Sequence, residues 1–68
     1  MAESLANRLK EHRTALGLTQ AELAERCGVS RKTINTVENG IFIPSTLLAL
    51  KLAAALDRRV EELFWVER

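Results

Sequence analysis

The chain has one cysteine, Cys27, so no disulfide can form within it and its fold must be held by packing alone. Cysteine poverty of this kind fits a reducing cytosol, and a cytoplasmic location is expected. One proline and three glycines are too few for a linker or a low-complexity segment, and no internal repeat is visible. No apolar run approaches the roughly 18 residues that a membrane span requires, and the N-terminus carries no secretory-signal pattern, so no membrane partner is expected. His12 is the single histidine. It has no second His, Cys or carboxylate at ligand spacing, which makes it a half-exposed structural side chain and leaves no expected metal or cofactor. Neither Ser30 nor Ser45 has a recognisable base partner, and Cys27 lies on a helical core stripe as a small hydrophobe. No catalytic residue is expected, and the chain is not read as an enzyme. An excess of one charge is missing too: the net charge is +1, so where the charges lie matters more than their sum.

The composition that remains is that of a globular chain, since a hydrophobic fraction of 47% and a charged fraction of 28% lie far from the disordered range. Sixty-eight residues allow one domain, 1–68. A chain this short buries only about 60% of its unfolded surface, so its core is marginal and self-association is a reasonable source of extra stability.

Glycine and proline fall only at helix ends. Apolar residues at 5, 6, 9, 15 and 16 form an imperfect helical stripe, which predicts a first helix from Leu5 to Leu16 that stops at Gly17. Thr19-Gln-Ala-Glu22 is a capping box that starts a second helix, ended by Gly28. Ser30 caps a third helix, which runs to about Asn39 before Gly40. Pro44 biases Ile43 toward extended backbone, making 41–44 a loop. Ser45 or Thr46 then caps a fourth helix to Leu56, and a short fifth helix spans about Val60 to Phe64. The expected fold is all-α, a compact five-helix bundle with little or no strand.

Gln20 to Asn39 is the informative stretch. Leu23, Ala24, Cys27, Val29, Ile34 and Val37 are its apolar positions, with Gly28 at the turn, and Ala24 must be small where the two helices cross. A short second helix set at an angle on a compact base is the geometry that enters a DNA major groove. The surface of that helix, Ser30, Arg31, Lys32, Thr33, Asn35, Thr36 and Asn39, is wholly able to hydrogen-bond and carries no acid. From Arg26 to Thr36 the charges are Arg26, Arg31 and Lys32. Taken alone, Arg31 and Lys32 read first as a solvated first turn, but basic side chains at a helix N-terminus oppose its dipole, so their presence there also argues for a partner. Arg31 can present two donors in one plane to guanine N7 and O6, Lys32 a point charge, and Thr36, one turn on, a methyl or a hydroxyl. Asn35 lies between faces. Arg13 and Glu38 are either a partly buried ion pair between the first and third helices or two solvated charges, and the residues alone leave both open.

Leu18-Thr-Gln-Ala-Glu-Leu-Ala24, Gly28-Val-Ser30 and Val37-Glu-Asn-Gly40, in this order and spacing, resemble the phage repressor and Cro class (XRE-like) of helix-turn-helix regulators. The small stand-alone bacterial and archaeal members that end in Glu-Glu-Leu-Phe, here Glu61 to Phe64, are especially similar. The resemblance covers about Leu5 to Phe64. It implies a lambda-repressor-like five-helix domain, binding of a short palindromic operator on double-stranded DNA as a homodimer, regulation of transcription as a repressor or otherwise, and no catalysis. It also implies base-reading roles for Arg31, Lys32 and Thr36, and backbone contacts from Gln20, Ser30, Thr33 and Asn39. Arg13 and Glu38 match a buried salt bridge in several members. The chain departs from the pattern in having Ile41 and Ile43 where basic or polar residues are common, Asp57 where glycine often ends helix four, and Arg59 in place of a capping Ser or Thr.

Helix four is apolar on nearly every face, with Lys51 its one charged residue, and Leu63-Phe-Trp-Val66 adds more apolar surface than one small core can cover. A homodimer surface within about 45–68 is expected, using Leu48, Leu52, Phe64, Trp65 and Val66. The alternative is that Phe64 and Trp65 fold back as a lid on the core. Ile41, Phe42 and Ile43 favour a rival function, an antitoxin or other interaction module whose loop and tail clasp a partner protein. No effector pocket is evident.

Overall fold

The computed structural model describes residues 3–68. In chain order the elements are β1 (Ser4–Asn7), α1 (Leu9–Ala15), α2 (Gln20–Cys27), α3 (Arg31–Glu38), α4 (Thr46–Leu56), α5 (Val60–Leu63) and β2 (Phe64–Glu67). Local chemistry sets most of the boundaries. The Thr19 hydroxyl accepts from the Glu22 amide at 3.0 Å and the Glu22 carboxylate accepts from the Thr19 amide at 2.8 Å, closing the capping box that starts α2. Ser30 and Ser45 accept from the amides of Thr33 and Leu48, starting α3 and α4. Gly28 ends α2 at φ 69°, and Asp57 ends α4 at φ 54°, a left-handed conformation that Asp adopts less readily than glycine. Arg59 contributes no side-chain acceptor to α5; the Glu62 carboxylate takes the Arg59 amide at 2.8 Å instead.

Five helices form, but the fold is not purely helical. Leu5 to Asn7, expected at the start of a helix from Leu5 to Leu16, instead belong to β1, which runs antiparallel to β2 with Leu5 opposite Val66, Ala6 opposite Trp65 and Asn7 opposite Phe64. Phe64-Trp-Val is rich in aromatic and β-branched residues that favour extended backbone, and pairing gives partners to the amides of each segment that face the other strand. Asn7 joins this sheet to the helices: its Oδ1 accepts from the Leu9 amide at 3.0 Å and its Nδ2 donates to the Val37 carbonyl at 3.1 Å. The Arg8 guanidinium lies 5.2 Å from the Trp65 ring centroid, a cation–π contact at the sheet's margin.

Leu9, Leu23, Ile34, Leu52, Leu56 and Leu63 are fully buried and draw every helix into one core. Three residues expected between copies belong to that core instead: Leu48, Leu52 and Phe64 are 7%, 0% and 7% exposed. Leu48, Leu52 and Leu56 repeat every four residues on one face of α4, so they pack inward. Leu47 and Leu50 stay outside, as do Trp65 and Val66. Phe64 thus acts as the lid that Trp65 does not become.

A candidate nucleic-acid interface

The α2–Gly28–α3 unit presents α3 on a polar scaffold. Ile34 and Val37 turn inward, while Arg31, Lys32, Asn35 and Asn39 are exposed and Thr33 and Thr36 are half-buried. What fixes α3 is an ion pair at its far end. Arg13 of α1 donates through Nε to Glu38 Oε2 at 2.6 Å and through Nη2 to Oε1 at 3.2 Å, a two-pronged bond that also sets the plane of the guanidinium. Its Nη1 donates to the Leu18 carbonyl at 2.8 Å. The two side chains are 9% and 3% exposed. A buried charge needs such partners, and these satisfy it.

Gln20 extends this network outward. Its Nε2 donates to Glu38 Oε1 at 3.0 Å, and its Oε1 accepts from Arg31 Nη1 at 3.4 Å. The chain Arg13–Glu38–Gln20–Arg31 therefore runs from α1 through the end of α3 and the start of α2 to the first turn of α3. The other polar side chains of the surface are linked locally: Ser30 Oγ to Thr33 Oγ1 at 3.0 Å, Thr36 Oγ1 to the Thr33 carbonyl at 3.0 Å, and Asn39 Nδ2 to Asn35 Oδ1 at 3.3 Å. Asn35 is thus part of the exposed polar face beside Asn39. The four-residue spacing of the two Asn residues was the available signal.

No acid stands in the first turn of α3, so the charge there is that of Arg31 and Lys32. Glu38, at the other end of α3, has its side chain buried and paired with Arg13. At the opposite helix start, the backbone amide of Thr19, aided by its hydroxyl, holds the Glu22 carboxyl below the usual carboxylate range. Burial pushes the Cys27 thiol up, as suits a core residue rather than a nucleophile. Among the described residues no three His, Cys, Asp or Glu side chains gather as a metal site would. No helix among them is long and apolar enough to cross a membrane.

This arrangement, a helix joined to the one before it by a tight glycine turn, capped by Ser30, braced by a buried ion pair and basic in its first turn, is that of a helix-turn-helix DNA-binding domain. A helix-turn-helix family model matches residues 9–63, and the chain belongs to the XRE-type helix-turn-helix family of transcriptional regulators. It is 41% identical over 63 residues to an uncharacterized HTH-type transcriptional regulator, YgzD, of Bacillus subtilis, with 93% of this chain and 96% of the relative aligned. It is 53% identical over 57 residues to an uncharacterized HTH-type transcriptional regulator of Methanothermobacter thermautotrophicus, with 82% and 83% aligned. Among solved structures, the restriction-modification controller protein C.AhdI of Aeromonas hydrophila is similar at a TM-score of 0.77 and 45% identity, over 81% of this chain and 83% of that one.

Proposed function

We propose that this protein is a cytoplasmic transcriptional repressor that binds a short two-fold symmetric operator as a homodimer, with α3 in the major groove. One observation carries the reading: the acid-free, basic first turn of α3 is braced through Gln20 and Glu38 to a buried arginine on another helix. In this reading Arg31 is held ready to reach guanine, Lys32 and Thr36 extend the reading line, and Ser30, Thr33, Asn39 and Gln20 contact the DNA backbone. The proton of Thr36 Oγ1 is already given to the Thr33 carbonyl, so Thr36 acts through its acceptor and its methyl. Gln20 spends its carbonyl on Arg31 and keeps one amide hydrogen for phosphate.

The dimer surface consists of the apolar residues that the core leaves outside, Leu47, Leu50, Trp65 and Val66, which are 62%, 55%, 36% and 58% exposed. Apolar area of this kind on so small a domain is the usual mark of an interface. A second reading, an antitoxin-like module with a protein partner, is favoured by the exposure of Ile41, Phe42 and Ile43. Selection of duplex DNA from a random pool with the purified protein tests the first reading. Recovery of a palindromic sequence supports it, and failure to enrich any sequence refutes it.

A further inference from the structure

We infer that Ile41, in the loop that follows the reading helix, seats a thymine methyl group of the operator half-site and so adds an apolar determinant to its specificity. The inference rests on the proposed operator binding through α3. Ile41 is 76% exposed, so in the free protein its side chain is bathed in water and supports no core. Its position is nonetheless fixed. The amides of Ile41 and Phe42 both donate to the Thr36 carbonyl, at 2.9 and 3.2 Å, which folds the loop start back against the last turn of α3.

Those two bonds have a chemical consequence. The first amides of the loop are occupied and cannot grip phosphate, and residues 40–45 carry no charge. The loop start has only apolar side chains to offer. Ser30, Lys32, Thr33, Thr36, Ile41 and Phe42 line one shallow recess, so the apolar loop is continuous with the face that carries Lys32 and Thr36. Lys32 and Thr36 are one helical turn apart on α3, and Ile41 lines the same recess from the loop that follows the helix. In the major groove the apolar group that distinguishes one base pair from another is the C5 methyl of thymine. A branched aliphatic side chain beside a base-reading threonine is chemically matched to it.

The test uses duplexes carrying the selected operator, with deoxyuridine replacing each thymine in turn to remove only the methyl. For the native protein, one position per half-site should show about a four-fold loss of affinity, the value of one buried carbon group. In Ile41→Ala that penalty should vanish while penalties at other positions persist. Ile41→Lys should bind all sequences more tightly at low salt, with a steeper salt dependence, and should also lose the methyl preference. Because Ile41 is exposed, both variants should keep the native far-UV circular dichroism and melting profile. An unchanged pattern of uracil penalties in Ile41→Ala, or an equal weakening of all sequences, overturns the assignment while leaving operator binding intact. Failure to select any operator overturns both.

Discussion

Glu38→Ala should remove a large part of the stability of this domain. The carboxylate accepts three hydrogen bonds, two from Arg13 and one from Gln20, and is 3% exposed. Truncation leaves the Arg13 guanidinium buried with a single partner, the Leu18 carbonyl. Removing one member of a buried pair costs on the order of 3–5 kcal/mol, because the remaining charge is neither solvated nor paired. A domain of 68 residues is stable by only about 3–10 kcal/mol in total. Each kcal/mol moves the melting temperature of so small a domain by roughly 4–8 °C, so a fall of about 12–40 °C is expected. Urea and thermal unfolding, followed by far-UV circular dichroism, measure this directly. The double replacement Arg13→Met with Glu38→Ala should recover much of the loss, since it removes the stranded charge. A loss below about 1 kcal/mol in Glu38→Ala would refute the reasoning, because that is the size of a solvent-screened pair.

Arg31→Ala should weaken binding to the preferred operator by about 1–3 kcal/mol and relax the preference at one base pair, which a repeated selection would detect as a changed sequence logo. Leu50→Glu or Trp65→Glu should convert a dimer of twice 7.6 kDa into a monomer with greatly weakened operator binding; a native mass of 7.6 kDa by light scattering at micromolar concentration would remove the dimer. In the dimer the two α3 helices should lie about 34 Å apart, one turn of DNA. Acid should destabilise the fold through its helix starts. The backbone amide of Arg59, the main cause, holds the Glu62 carboxyl below the usual carboxylate range, as that of Thr19 does for Glu22. Their folded-state values lie below the unfolded ones, so they stabilise fully above the usual carboxylate range, and the contribution fades as pH falls through and below it. Glu22→Gln and Glu62→Gln together should flatten the acid limb of a melting-temperature profile.

The helix-turn-helix unit was legible in the sequence because local chemistry sets its limits. Thr19 and Glu22 satisfy each other's amides three residues apart, Ser30 caps within its own first turn, and Gly28 supplies a left-handed stop that few residues adopt. Such signals need no knowledge of the rest of the chain. Periodicity also placed Ile34 and Val37 inside and left Arg31 and Lys32 outside. Three features depended on partners distant in the chain. Leu5 and Ala6 fit a helical stripe as well as a strand, and only Trp65 and Val66, about sixty residues away, decide that they are extended. Helix α4 is apolar on nearly every face, so its pattern could not say that Leu48 and Leu52 face the core while Leu47 and Leu50 face solvent. Burial of Arg13 and Glu38 required two helices that meet only in the folded chain, with Leu18 and Gln20 supplying the remaining hydrogen bonds. Caps and turns are set by atoms a few bonds apart, whereas strand pairing, the choice of inward face and the desolvation of a charge depend on which distant surface arrives opposite.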